Sequence, residues 1–167
     1  MAGTFARLWT HLFTPDAGSR FPSGAMDRIA QAIAVSESLH SGEVCFAVEA
    51  ALPWRDVLRD AQPRQRALDA FGRLRVWDTA ANNGVLIYLL LADHRIEIVA
   101  DRGLAGKVSP EQWRGVCQLM EERLRAGEHV DGVVAGIEAV GDLLAAHYPR
   151  DATDLDVDEL PNRPVLL

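Results

Sequence analysis

Six oxygen-bearing side chains stand where strands are expected to begin or end: Glu37, Glu43, Asp78, Asn82, Asn83 and Asp101. Carboxylates and amide oxygens are ligands for hard cations, so calcium or magnesium is the cofactor this set would take if the strand ends converge. Glu37 and Glu43 flank a helix-to-strand turn. Asp78, Asn82 and Asn83 precede the most apolar strand of the chain, and Asp101 ends the strand after it. The competing reading is structural: Asn82 and Asn83 make a turn, and Asp101 is a surface residue.

Other patterns carry less chemistry. Asp154, Asp156 and Asp158 imitate the opening of a calcium loop. Its sixth position is Glu159, where glycine is needed, and its twelfth is Val165, where a bidentate Glu is needed. The same aspartates imitate the pair used by haloacid-dehalogenase phosphatases, but no apolar strand precedes them, so a solvated acidic tail is expected. Gly103 and Gly106 are too few for a phosphate loop, and no G-x-S-x-G elbow exists. Serines 19, 23, 36, 38, 41 and 109 have capping or loop explanations. Histidines 11, 40, 94, 129 and 147 are scattered and are expected on the surface. Neither Cys45 nor Cys117 begins a Cys-x5-Arg loop, and both are expected to be buried, reduced thiols. No catalytic residue is assigned.

Composition narrows the class. The 167 residues suit one domain with a substantial core. Net charge is −7 and pI about 5.2, which argues against nucleic acid as a partner. No apolar run reaches the length of a transmembrane segment and no signal peptide is recognised, so a cytoplasmic location is expected.

The elements follow from period and punctuation. Phe5, Leu8, Trp9, Leu12 and Phe13 recur at helical spacing, giving an amphipathic helix over residues 4–13. It would dock on the domain, on a second copy or, peripherally, on a membrane surface. A Pro/Gly/Ser linker is expected over 14–23, completing an N-terminal region of residues 1–21. Ser23 is expected to cap a helix running to about Leu39, with Met26, Ile29, Ala30 and Ile33 inward. Residues 43–51 alternate as a first strand, apolar on both faces except for Glu49. Pro53 and Pro63 open two helices, the second lined by Ala67, Leu68, Phe71 and Leu74. Residues 85–92 are apolar on both faces and so belong mid-sheet. Strand 95–101 returns antiparallel after Asp93-His94. Ser109, Pro110 and Gln112 spell a capping box for a helix ending at Gly127. The last helix, about 130–147, carries Gly132, Gly136 and Gly141, read as close packing on the sheet. Residues 150–167 form an acidic tail expected to be irregular, with Val165, Leu166 and Leu167 docked.

The stretches 36–49 (SESLHSGEVCFAVE), 64–104 and 132–149 resemble the TPM domain family, the thylakoid lumen, photosystem II repair and levamisole-receptor modulator type. The resemblance rests on Glu37, on Gly42-Glu43, on Arg66, Ala67 and Phe71, and on Thr79 with Asn83 to Ile87. It spans residues 22–149. It implies a three-layer α/β/α sandwich around a small mixed sheet, as the pattern reading does. It also implies divalent-cation binding and, for some plant members, acid phosphatase activity.

The function expected is that of a non-catalytic module that binds a protein partner, in envelope or stress maintenance, because no nucleophile–base constellation stands out. The alternatives are a divalent-cation-dependent, acid-phosphatase-like hydrolase and a peripheral membrane protein anchored through helix 4–13.

Overall fold

A computed structural model describes residues 2–151 and 159–167. Three sequence-marked aspartates, Asp154, Asp156 and Asp158, lie outside the described residues.

The sheet is built around two strands whose residues are all buried, β1 (Glu43–Glu49) and β2 (Gly84–Leu90). They run parallel, Glu43 opposite Gly84 and Glu49 opposite Leu90. β3 (Arg95–Ala100) returns antiparallel along β2, as the hairpin pattern predicts. A fourth strand, β4 (Val165–Leu166), pairs parallel with β1 on its other side, so the order is β3-β2-β1-β4. The irregular tail expected from sequence therefore ends in a strand. Two paired residues leave no periodicity to read, and the pairing is set by β1.

Alternation sorts the strand side chains between two cores. Val44, Phe46 and Val48, with Val85, Ile87 and Leu89, face one layer of helices: α3 (Ser23–Glu37), α6 (Pro110–Arg125) and α7 (His129–His147). Cys45 and Ala47, with Leu86, Tyr88 and Leu90, face α4 (Trp54–Leu58) and α5 (Pro63–Arg73). The first helix, α1 (Ala2–Phe13), lies alongside α4 on this second side. The molecule is thus the expected α/β/α sandwich.

Several local expectations change. Residues 14–23 are not a plain linker: Asp16 caps a four-residue helix, α2 (Ala17–Arg20), and Phe21 is buried edge-on against Phe46, with ring centroids 6.0 Å apart. Ser23 does not cap α3, because Pro22 occupies that place without a side-chain bond. In α5 the buried residues are Ala67 and Ala70, while Leu68 is exposed. The capping box of α6 forms as read: Ser109 Oγ accepts from Gln112 N–H at 3.2 Å and Gln112 Oε1 from Ser109 N–H at 2.9 Å. The glycines of α7 serve helix contacts, not the sheet. A Cβ on Gly136 would overlap Met120 of α6, and one on Gly141 would overlap Ser36 of α3.

Candidate functional site

Parallel pairing of β1 with β2 and antiparallel pairing of β2 with β3 carry the starts of β1 and β2 and the end of β3 to one edge of the sandwich. The residues flagged as cation ligands gather there, but most are already engaged. Glu37 ends α3 and accepts the Val44 N–H at 2.8 Å, which ties the helix end to β1. Glu43, buried at the first position of β1, accepts the Leu160 N–H at 3.2 Å. Asn83 is buried. Its Nδ2 donates to the Ser41 carbonyl at 3.0 Å and its N–H to Thr79 Oγ1 at 3.1 Å. Asn82 has φ 51°, and its Oδ1 accepts from Arg102 Nε at 3.0 Å. Asp78 stands apart at the surface, paired with Arg75 at 2.6 Å.

Asp101 differs from these. Its N–H donates to the Gly84 carbonyl at 2.9 Å and its Oδ1 accepts the Arg102 N–H at 2.7 Å, opening a 3-10 turn over Arg102–Leu104. Its Oδ2 is buried with no hydrogen-bond partner among the described residues. The turn sits close on the preceding loop, because a Cβ on Gly103 would overlap the Ala81 and Asn82 carbonyls. Among the described residues, no group of three or more His, Cys, Asp or Glu side chains stands together to hold a metal ion.

Nucleophile chemistry is equally sparse. Burial, helped by the charge of Glu37, pushes the Cys45 thiol up to about 12. Burial, with Glu97 and Glu121, pushes Cys117 up to about 11. Both stay protonated thiols at neutral pH, and a thiol is a poor nucleophile. Cys45 is buried as expected, and Cys117 is half-buried against the core.

Two histidines contradict the surface expectation. His40 is buried beneath α7, with Nε2 3.0 Å from Ser36 Oγ. The pair has the elements of a serine–base couple, but burial, against a backbone hydrogen bond at Gly42 and with the charge of Arg150, lowers His40 to about 4. Gly141 packs directly on the Ser36 hydroxyl, so the couple sits where α3 meets α7. His11 is buried at the other edge of the sandwich. Its Nδ1 accepts the Leu52 N–H at 2.9 Å, so Nε2 carries the proton and donates to Asp93 Oδ1 at 2.9 Å.

That opposite edge holds the polar groups that composition did not flag. Asp93, in the β2–β3 turn, also receives Arg7 Nη2 at 2.7 Å and Arg7 Nε at 3.1 Å. Arg7 Nη2 further donates to the Ala61 carbonyl at 2.8 Å. Next to it, buried Glu49 receives Arg66 Nη2 and the Tyr88 hydroxyl, each at 2.5 Å. Burial and Glu49 raise the Tyr88 phenol, which stays protonated and donates.

These bonds set the orientation of α1. Arg7 and His11 face the domain, and Leu8 packs partly against the α4/α5 core. The rest of the apolar stripe points outward: Phe5 is 70% exposed, Trp9 66%, Leu12 58% and Phe13 65%. Trp9 and Phe13 rest against one another with ring planes tilted by 44° and centroids 4.6 Å apart. An amphipathic helix ordinarily buries its apolar stripe; here the helix is held by its polar side.

A family model described as the TPM domain matches residues 16–143. Among solved structures, the BA42 protein from the psychrophilic bacterium Bizionia argentinensis is similar at 29% identity and a TM-score of 0.76, over 87% of this chain and 94% of that one. The N-terminal domain of a protein from P. gingivalis shares the fold at 19% identity and a TM-score of 0.62, over 81% and 85% of the two chains. So does the N-terminal domain of cg2496 from Corynebacterium glutamicum, at 11% identity and a TM-score of 0.59, over 85% and 84%. No curated protein matches the chain.

Proposed function

Since the chain belongs to the TPM domain family, we propose that it works as a binding module of that family and recognises a protein through the outward face of α1. One observation carries this reading: α1 is fixed to the domain through Arg7 and His11 while Phe5, Trp9, Leu12 and Phe13 are left to solvent. Exposed aromatics on a rigid element are the side chains that dominate binding energy at interfaces. Holding them out with a polar anchor spares a partner the cost of ordering the helix.

The test is affinity capture with the full chain and with a Trp9→Glu/Phe13→Glu variant as parallel baits. The reading expects one set of proteins retained by the first and lost from the second, at equal melting temperature. Identical capture by both baits overturns it.

A second reading, a divalent-cation-dependent phosphatase, draws on the unpartnered Asp101 Oδ2. Hard cations take about six or more oxygens. Here Arg102 occupies Asn82 Oδ1, backbone amides occupy Glu37 and Glu43, and Arg75 holds Asp78. The donor set as folded does not fit a resident cation. Titrating calcium and magnesium against melting temperature decides the matter. A rise abolished by Asp101→Asn would restore this reading, and no rise would remove it.

A further inference from the structure

We infer that the partner seated on the outward face of α1 is a second copy of this chain, arranged two-fold symmetrically. This rests on the reading of α1 as the recognition face and names its occupant.

Exposed area favours a second copy. α4, packed alongside α1, adds Trp54 at 52% and Leu58 at 51% exposure to the four residues of α1. With about 150–250 Å² to an aromatic side chain, six side chains at such exposures present on the order of 700 Å² of apolar surface. The largest patch on a monomer is usually about 300–600 Å². A stable dimer buries roughly 800 Å² on each partner. Taken together, the exposed apolar side chains of α1 and α4 approach one half of a dimer interface.

Surface charge favours it as well. A two-fold contact sets a surface against itself, so its rim must complement itself. The α4 flank carries both signs in Arg55, Asp56 and Arg59, while Asp60 is held by Arg7 of its own chain. Two copies can therefore pair Arg of one with Asp of the other.

A lipid surface fits less well. Surface-bound helices lay a Lys/Arg-rich polar face against anionic headgroups. The only Arg of α1 is Arg7, and it is bound to Asp93 and Asp60. The chain as a whole carries −7, which anionic headgroups repel.

Sedimentation velocity of the full chain over a range of concentrations tests the inference, with Trp9→Glu/Phe13→Glu alongside. The substituted side chains are exposed, so an unchanged melting temperature is expected and is checked first. The wild-type chain should approach twice the monomer mass with rising concentration, and the variant should remain at the monomer mass. A wild-type chain that stays monomeric throughout overturns the inference, and so does a dimer that survives the substitutions. A monomeric wild-type chain that binds vesicles of anionic phospholipid, with binding lost in the variant, overturns it in favour of a lipid. In that case the face remains a recognition face, and only its occupant is wrong.

Discussion

Arg7 Nη2 lies 2.7 Å from Asp93 Oδ2, and this pair joins the first helix to the turn between β2 and β3. His11 adds a second bond to the other Asp93 oxygen. Since Arg7 and His11 are four residues apart, they share one helix face and fix the rotation of α1. The aromatic stripe is outward as a consequence.

Cutting this anchor should release the helix without unfolding the sandwich. Asp93→Ala leaves buried His11 Nε2 without its acceptor and Arg7 with only the Ala61 carbonyl and Asp60, at a cost of about 2 kcal/mol. Hydrogen exchange should show protection lost along α1 and kept in β1 and β2. Retained protection in α1 would show that Leu8 packing holds the helix by itself.

Acid should have the same effect. Burial raises the Asp93 carboxyl, but hydrogen bonds and charge from Arg7 and His11 outweigh it and hold the group below the usual carboxylate range. A depressed carboxyl stabilises the fold above its unfolded value of about 3.9, and that stability is lost as pH falls through the folded value. Protection of α1 should therefore be constant from neutral pH down to about 4 and fall below it, with no such fall in Asp93→Asn. Acid loss of α1 protection in Asp93→Asn as well would point to another group.

His40 gives a separate acid response. Its folded value of about 4 lies below the ordinary 6.5, so the unfolded chain binds a proton that the folded chain refuses. Stability is complete above about 6.5 and declines as pH falls towards 4, by about 3 kcal/mol. His40→Gln can keep the bond to Ser36 without titrating. Chemical denaturation at a series of pH values should show the decline in the wild-type chain and a flatter profile in the variant. Parallel profiles would assign the decline to other groups.

The buried Glu49 cluster should be sensitive to losing either charge. Arg66→Met strands the Glu49 carboxylate among apolar residues with only Tyr88 as donor, costing about 3 kcal/mol or more. Restoring neutrality with Glu49→Gln in the same chain should recover part of that loss. A double variant as unstable as the sum of the singles, measured by denaturant unfolding, would show that the two residues act independently.

Much of this was legible from pattern. Double-faced apolarity placed β1 and β2 at the centre, and the Ser109 to Gln112 spacing marked the start of α6. Strand order brought five of the six flagged oxygens to one edge, as the expected hairpin required. What pattern did not carry were contacts between remote segments. Periodicity finds the apolar stripe of α1 but not which side of the helix docks, because that depends on Asp93, which is 82 residues from His11 in sequence. Surface placement of His11 failed for the same reason; His40 bonds Ser36 four residues away, but α7, remote in sequence, covers it. Glu49 was visible as the polar exception in β1, but its partners Arg66 and Tyr88 were not. β4 was too short to leave a pattern.

The central claim is that the Phe5, Trp9 and Phe13 face is open in the free chain and covered when the protein is engaged. Hydroxyl-radical footprinting read by mass spectrometry tests it residue by residue. In dilute solution, Trp9 and Phe13 should be oxidised readily and Leu8 little, and at concentrations where the chain associates Trp9 and Phe13 should become protected while Trp77 does not. Trp9 and Phe13 already protected in the dilute chain, with Arg7 and Asp93 unpaired, would contradict the account.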